Sequence, residues 1–187
     1  MRVVFLGPPG AGKGTQAKML SSDAKLAHIS TGDMLRAAVA EGSDLGKRVQ
    51  SIMDSGQLVP DDLIIDIIRE RIAKPDATAG YILDGFPRTV KQAEALTAML
   101  AKQGAAIDAV VSFELDETEL LSRLANRRGA ESRADDDVTV QKERLRVYKE
   151  QTEPLIEFYG SRGALRKVDA SGSVDQVFQG LKQAVGR

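Results

Sequence analysis

The sequence contains no cysteine and only one histidine, His28. Without cysteine there can be neither a disulfide framework nor the thiolate zinc site on which many small domains depend. A cysteine nucleophile is excluded as well, and the sequence has no Gly-x-Ser-x-Gly or His-Arg-Asp segment. For His28 a polar or packing role is expected. Several hydrolase and protein-kinase mechanisms are therefore excluded by composition and motif alone.

An excess of charge of one sign and a long apolar run are also missing. The chain has 26 lysines and arginines against 27 aspartates and glutamates, so it lacks the bulk attraction typical of nucleic-acid or membrane-surface binders. The apolar run before Gly7 has four residues, too short for a signal peptide or a membrane span, and the cytoplasm is the expected compartment. With 187 residues, 42% of them hydrophobic, one soluble α/β domain is expected.

Short apolar runs alternate along the chain with segments of helical periodicity. Strands are predicted at residues 3–6, 27–29, 81–83, 109–115 and 165–168. Helices are predicted from residue 16, from about residue 30, around residues 45–53, after Pro60, at 90–103 and 117–126, over a long segment at about 138–159, and at 174–185. Strands that alternate with helices indicate a parallel sheet covered by helices on both faces.

The segment GPPGAGKGT, which begins at Gly7, lies between the first predicted strand and the first predicted helix. It almost matches Gly-x-x-x-x-Gly-Lys-[Ser/Thr], a loop whose backbone N–H groups and lysine surround a phosphate. Gly7, Gly12 and Lys13 are in register. However, Gly14 stands where a magnesium-binding hydroxyl is usual, and Thr15 follows one residue later. We interpret the segment as a phosphate-binding loop in which Thr15 reaches magnesium directly or the ion is held through water.

A second segment, YILDGFPRT, ends a predicted strand with Asp84 and places Arg88 directly after Pro87. A carboxylate at the end of a strand is a usual magnesium ligand in sites that transfer phosphate. Proline restricts the backbone, so the guanidinium that follows it can be aimed at a phosphate. Asp84 is therefore a candidate magnesium ligand and Arg88 a candidate phosphate ligand.

Six arginines occupy positions that helical packing does not explain: Arg36, Arg88, Arg123, Arg127, Arg133 and Arg144. Each could be a solvated surface charge, and sequence spacing does not show that they converge. Arginine nevertheless binds phosphate through a planar, bidentate fork. A kinase that acts on another phosphate needs such charges and no general base, because its acceptor oxygen is already anionic near neutral pH. Many arginines without an obvious base favour that chemistry.

Five segments resemble the adenylate kinase family, in order and over almost the whole chain: GPPGAGKGT, HISTGDMLR, GQLVPDDL, LDGFPRTVKQAE and RKVDASGSV. The resemblance implies a P-loop NTPase-type three-layer α/β fold, with a five-stranded parallel sheet and the site outside the C-terminal ends of the strands. It implies a single domain, 1–187, in which a flap at 30–59 binds AMP and a short lid covers 126–136. The lid segment lacks metal ligands, so no zinc is expected. Family members also carry glycine at the position of Gly14.

The activity implied by this resemblance is reversible transfer of the terminal phosphate of Mg-ATP to AMP, giving two ADP, in adenine nucleotide homeostasis. Magnesium bound with ATP is the expected cofactor, held by Thr15 and Asp84, directly or through water. The implied partners are ATP, AMP and ADP, with no nucleic acid or membrane, and the implied state is a monomer.

The resemblance also assigns individual residues. Those expected to bind ATP are Gly10, Ala11, Gly12, Lys13, Gly14, Thr15, Arg127 and Gly172. Those expected to bind AMP are Thr31, Arg36, Gln57, Leu58, Val59, Gly85, Phe86, Pro87, Arg88, Gln92, Arg133 and Arg144. The expected catalytic residues, which act on the transferred phosphate, are Lys13, Arg88, Arg123, Arg127, Arg133 and Arg144.

Two alternatives stay open at this point. A kinase for UMP or CMP could have the same fold, although Thr31 and Gln92 favour adenine because pyrimidine-specific relatives tend to carry alanine in place of this threonine. The other alternative is a nucleotide-binding module without turnover. Such a module has no need of a second, arginine-lined monophosphate site, and it would form no product with any acceptor.

Overall fold

The computed structural model describes residues 1–126 and 137–187. Five strands are present in this part of the chain: β1 (Arg2–Leu6), β2 (Ala27–Ser30), β3 (Tyr81–Asp84), β4 (Ala109–Glu114) and β5 (Leu165–Asp169). The α-helices of the same residues are α1 (Lys13–Ala24), α2 (Thr31–Ala40), α3 (Asp44–Asp54), α4 (Asp61–Ile72), α5 (Val90–Ala101), α6 (Glu117–Asn126), α7 (Val138–Val147), α8 (Pro154–Gly160) and α9 (Val174–Ala184).

All five strands are parallel and form one sheet in the order β2-β3-β1-β4-β5. Successive residues of a strand point to opposite faces, so each strand contributes to two hydrophobic cores. Val4 and Leu83 belong to the core that α4, α5 and α8 cover, whereas Val3 and Ile82 belong to the core that α1 and α9 cover. The predicted three-layer α/β fold with a five-stranded parallel sheet is confirmed.

The register of three neighbouring strands determines which segments meet. Phe5 of β1 pairs with Asp84 of β3, and Asp84 in turn pairs with Ser30 of β2. Beyond these residues the chain enters the phosphate-binding loop, the turn at Gly85 and helix α2, respectively. Because parallel strands end at the same edge of a sheet, these three segments lie side by side at its C-terminal edge, where α/β proteins bind ligands.

The long helix predicted over residues 138–159 is interrupted. Helix α7 ends at Val147, a π-helical turn covers Tyr148–Thr152, and α8 begins at Pro154. Proline has no N–H to continue a helix but is well suited to a first turn, so Pro154 restarts the helix after the turn. The other predicted elements of the described residues are present with small shifts of their ends. Of the predicted lid, residues 127–136 lie outside the described residues.

Among the helices of the described residues, none combines the length and the apolar character that a membrane span requires.

Helices α2 and α3 are in close contact at Gly46. A Cβ atom added to this residue would lie 2.0 Å from the carbonyl oxygen of Ala38 and 2.4 Å from its carbonyl carbon. No side chain could be accommodated there without moving one helix. The packing of these two helices, which form most of the predicted flap, therefore depends on a glycine at this position.

We expect Gly46→Ala to lower the free energy of unfolding by about 1–3 kcal/mol, because α2 and α3 must separate to admit the methyl group. Gly180→Ala in α9 is the matched control, since its Cβ would lie 3.6 Å from Val168 Cγ1, an ordinary contact. The helix propensity of alanine should make that control about 0.5–1 kcal/mol more stable. Urea unfolding measures both variants, and equal losses in the two would contradict the packing explanation.

Candidate active site

A cavity of about 530 Å³ opens at the C-terminal edge of the sheet, a size typical of small-molecule sites. It is formed by the phosphate-binding loop, the ends of β2 and β3, and helices α2 to α7. Most of the residues predicted from the sequence line it: Gly10, Gly12, Lys13, Gly14, Thr15, Thr31, Arg36, Gln57, Leu58, Val59, Asp84, Gly85, Pro87, Arg88, Gln92, Arg123 and Arg144.

Five predicted residues are not among those that line the cavity. Ala11 and Phe86 are buried in the two hydrophobic cores, so their side chains hold the loops in place instead of facing a ligand. Gly172 follows β5 and lines a separate, open cavity between β5 and α9. Arg127 and Arg133 lie outside the described residues.

The phosphate-binding loop closes around the ammonium group of Lys13. Lys13 Nζ donates to the carbonyl oxygens of Gly7 and Pro8, at 2.7 and 2.9 Å. Gly12 precedes α1 with φ +82°, a conformation that side chains rarely adopt, and α1 begins directly after it at Lys13. The first turn of α1, with its positive dipole end, therefore lies next to a lysine charge, which is the arrangement of an anion site.

Asp84 lies between the lysine and the arginines. Its Oδ2 is 3.5 Å from His28 Nε2, and a Cβ added to Gly14 would lie 3.6 Å from the same oxygen. Burial acts to raise the pKa of Asp84, but His28, Lys13 and Arg88 together outweigh it, so this pKa lies below its ordinary value. The carboxylate is thus ionised at neutral pH beside the start of α1.

The lowered pKa of Asp84 predicts that its contribution to stability is lost in acid. The folded pKa is below the unfolded value of about 4, so the stabilisation is complete above that pH and disappears as the pH falls through the folded pKa. We expect the free energy of unfolding of the wild type, relative to Asp84→Asn, to fall below about pH 4. Urea unfolding from about pH 3 to 7 measures this difference. A difference that does not change with pH would contradict the prediction.

Arg88 is anchored to the turn that follows Asp84. Its Nε donates to Gly85 O at 2.8 Å, and Thr31 Oγ1 donates to the same oxygen at 2.9 Å. Gly85 has φ +83°, and a Cβ there would lie 2.8 Å from Thr31 Oγ1 and 2.9 Å from Arg88 Nη2. Only glycine therefore allows the threonine and the arginine to approach this turn together. Thr152 Oγ1 also donates to Arg88 O, at 2.9 Å, and fixes the arginine backbone.

The guanidinium of Arg88 is in an unfavourable place for a positive charge. Burial lowers the pKa of Arg88, Asp84 partly offsets this effect, and the like charge of Arg36 lowers the pKa further. Arg36 is itself held by Asp33, whose Oδ1 accepts from Arg36 Nη2 at 2.6 Å. Two guanidinium groups near each other beside a cavity mark a position where an anion would be strongly stabilised.

Two further arginines reach the cavity from other helices. Arg123 of α6 lines it while its Nε donates to Glu119 Oε1 at 2.8 Å, and Arg144 lines it from α7. The segment after α3 contacts α7 at this point, because Gln57 Nε2 donates to Glu143 Oε1 and a Cβ at Gly56 would lie 3.3 Å from Arg144 Cγ. The structure thus brings together Arg36, Arg88, Arg123 and Arg144, which are four of the six arginines singled out in the sequence.

Sequence reasoning missed two side chains at this site. His28, for which a polar or packing role is expected, lines the cavity beside Asp84. Asp61, at the start of α4, accepts hydrogen bonds from Thr89 and Gln92. For His28 the sequence does contain an indication, because this residue lies two residues before the end of β2 and on the same face as Ser30. For Asp61 no local signal exists, because acidic residues are common in the first turn of a helix.

The fold and the site define a class. This class is the nucleotide-binding phosphotransferases of the P-loop type. The features that indicate it are a glycine-rich loop at the start of α1, a carboxylate at the end of the adjacent strand, and four arginines around one cavity.

Comparison with known proteins identifies the member of that class. The family model described as adenylate kinase matches residues 5–164. An adenylate kinase of Parvibaculum lavamentivorans is 52% identical over 189 residues, which cover all of this chain and 92% of the relative. An adenylate kinase of Thermobifida fusca is 50% identical over 96% of this chain and 95% of its own. One of Xanthomonas oryzae pv. oryzae is 47% identical over the full length of both.

The chain belongs to the adenylate kinase family. It is an enzyme that reversibly transfers a phosphoryl group from ATP to AMP, giving two ADP. The family and the activity predicted from the sequence are thereby confirmed. The three relatives are all adenylate kinases, which favours this activity over the two alternatives left open by the sequence.

Proposed function

We propose that the cavity binds ATP and AMP side by side, with their phosphates meeting next to Asp84. One observation carries this proposal: Lys13 and Arg88 come from different segments, yet both lie close enough to Asp84 to lower its pKa. Lys13 marks the phosphate-binding loop, and Arg88 with Arg36 marks a second cationic position. Two adjacent phosphate sites are what transfer between two nucleotides requires.

In this proposal the loop residues from Gly10 to Thr15 hold the phosphates of ATP, and Lys13 supports the phosphoryl group as it moves. Arg88 and Arg36 hold the phosphate of AMP. Arg123 and Arg144 add positive charge around the transferred group, and we propose the same role for Arg127 and Arg133. The acceptor oxygen of AMP is already ionised near neutral pH, so alignment and charge stabilisation replace a general base.

The base of AMP is proposed to lie beyond Arg88, between Thr31 and Gln92. Apolar side chains of Leu35, Val59 and Ile64 line the same cavity and offer a surface for a flat ring. The segment Gln57, Leu58 and Val59 borders this region, and Gly85, Phe86 and Pro87 form the turn that carries Arg88. Gln92 provides an amide that can recognise the edge of the base.

Adenylate kinases use ATP as its magnesium complex. We propose that Asp84 and Thr15 hold this ion, directly or through water. The fit rests on the ionised Asp84 carboxylate beside the loop, since magnesium prefers oxygen ligands and binds through one or two carboxylates plus substrate phosphates. The described residues contain no group of three or more potential metal ligands. When bound, magnesium neutralises charge on the phosphates of ATP.

We also propose a role for two segments of the chain and an oligomeric state for the whole molecule. Residues 30–59 act as a flap and residues 126–136 as a short lid, which close over the nucleotides and exclude water as a competing acceptor.

Gly172 is proposed to lie by the adenine of ATP. The enzyme is proposed to work as a monomer in the cytoplasm, where charged nucleotides are retained, without nucleic-acid or membrane partners. Light scattering on an eluting column peak would test the monomer.

The proposed base site is tested by incubating the protein with Mg-ATP and, separately, AMP, UMP, CMP or GMP, and separating the products by chromatography. Rapid formation of ADP with AMP and little product with the others supports the assignment of Thr31 and Gln92. Faster reaction with UMP or CMP would overturn that assignment and leave the phosphate sites intact. The absence of product with every acceptor would overturn the transfer mechanism.

A further inference from the structure

The side chain of Gln92 is held at both ends of its amide. It is 2% exposed, Nε2 donates to Asp61 Oδ1 at 2.7 Å, and Oε1 accepts from the Arg88 backbone N–H at 2.7 Å. A carboxylate has no hydrogen to donate and an N–H has no lone pair to accept. Rotating the amide by 180° would therefore replace both hydrogen bonds with repulsive contacts, so its orientation is fixed by its neighbours.

Asp61 is in turn fixed where two helices begin. It is the first residue of α4, and its Oδ1 also accepts from Thr89 Oγ1 at 3.1 Å. Thr89 is the N-cap of α5, where its Oγ1 accepts from the Gln92 backbone N–H. The carboxylate thus connects the start of α4 with the first turn of α5. It is positioned by structure that does not depend on a nucleotide.

A fixed amide presents a fixed pattern to the cavity. An amide NH₂ has two hydrogens and its oxygen has two lone pairs, so one hydrogen and one lone pair of Gln92 remain beyond the bonds to Asp61 and Arg88. Adenine carries an amino donor at position 6, which matches the remaining lone pair of Oε1. A 6-oxo purine, such as hypoxanthine or guanine, would bring a second acceptor oxygen against it.

We propose that Asp61 is a positioning residue that locks the Gln92 amide in the orientation that selects a 6-amino purine over a 6-oxo purine. This inference rests on the proposed contact between Gln92 and the base of AMP. Asp61 itself does not touch the nucleotide. Together with the Arg88 backbone N–H, it makes the reversed amide, which would suit a 6-oxo base, energetically inaccessible.

The test compares AMP with inosine monophosphate as acceptor, because their bases differ in the amino or oxo group at position 6 and the proton on N1. In Asp61→Asn the new side chain can donate or accept, so only one of the two contacts that orient the Gln92 amide, the Arg88 backbone N–H, still opposes the reversed orientation. We expect KM for AMP to rise, kcat to be largely kept, and the AMP-to-IMP ratio of kcat/KM to fall about tenfold. A purely structural defect would lower both values of kcat/KM alike and leave the ratio unchanged.

Asp62→Asn is the matched control, with the same change of charge one residue further along α4. Asp62 is 85% exposed and pairs with Lys91 Nζ at 2.9 Å, so its ratio should equal that of the wild type. Asp61→Glu keeps a carboxylate, which only accepts hydrogen bonds, and should keep most of the selectivity. This variant also provides a second test in case Asp61→Asn misfolds. If Asp61→Asn keeps the wild-type ratio, or Asp61→Glu loses as much selectivity as Asp61→Asn, the inference is overturned.

Gln92→Leu separates this inference from the proposed function on which it rests. If that variant leaves KM for AMP and the ratio unchanged, the proposed contact between Gln92 and the base is wrong, and the inference about Asp61 falls with it. If Gln92→Leu lowers the ratio while Asp61→Asn behaves like Asp62→Asn, only the positioning role of Asp61 is wrong.

Discussion

Replacing Arg88 with alanine should lower kcat about a thousandfold, because arginines that stabilise a transferred phosphoryl group contribute roughly 10³–10⁵ to turnover. The guanidinium is partly buried and lines the cavity beside Asp84, where charges are screened less than at the open surface. Folding should be largely retained. Gly85 O still accepts from Thr31, and Asp84 keeps Lys13 and His28 as neighbours. The measurements are ADP formation at saturating Mg-ATP and AMP, and thermal unfolding followed by circular dichroism.

Arg71→Ala is the matched control for this variant. Arg71 is 18% exposed and donates two hydrogen bonds to Asp76, at 2.9 and 2.7 Å, but it is not among the described residues that line the cavity. Its loss should leave kcat unchanged. Arg88→Lys, which keeps the charge but not the planar fork, should fall between the wild type and the alanine variant. An Arg88→Ala enzyme that is unfolded, or that turns over as fast as Arg71→Ala, would refute the proposed role.

Replacing Lys13 with methionine should lower kcat about 10²- to 10³-fold, the usual effect of removing one preorganised donor from a transition state. Methionine has a similar length, so the packing of the loop is preserved while the ammonium is lost. The substitution removes the donor to the carbonyl groups of Gly7, which lines the cavity, and of Pro8, which is partly exposed. The loss of the ammonium group should therefore appear mainly as a lower kcat, because the charge that develops as the phosphoryl group moves is no longer stabilised.

Calorimetric titration with ATP distinguishes this effect from simple loss of binding. We expect ATP affinity in Lys13→Met to fall by a smaller factor than kcat, because the backbone N–H groups of the loop and the start of α1 remain. Lys47→Met, at a position 71% exposed and 3.9 Å from Asp44, serves as the control and should match the wild type. Lost affinity with unchanged turnover of the bound complex would show that Lys13 only binds substrate.

Elements specified by local patterns could be predicted from the sequence. The run before Asp84 and the run from Ala109 alternate between two covered faces, and both are strands in the structure. The phosphate-binding loop and the turn from Asp84 to Arg88 could also be predicted. In each of them the residues that carry the chemistry are contiguous, so spacing along the chain is the same as spacing in the site.

Contacts between distant segments could not be predicted. The order of strands brings β2 next to β3, and only this order places His28 beside Asp84. Asp61 and Gln92 are 31 residues apart, and each looks ordinary in its own helix. The convergence of the arginines likewise depends on how α2, α6 and α7 are arranged around the sheet. Such features depend on tertiary packing, which a single sequence does not display.

The charges around Arg88 connect the folding equilibrium of the enzyme to the supply of its substrates. Burial and the nearby Arg36 disfavour the charged guanidinium in the folded state. A bound phosphate removes this penalty in the folded state alone, and at a hundred times its dissociation constant a ligand adds about 2.7 kcal/mol of stability. Proteases cleave chains that have unfolded, so the rate at which the protein is degraded follows the same folding equilibrium. Adenine nucleotide depletion would thus shorten the lifetime of the enzyme that interconverts these nucleotides.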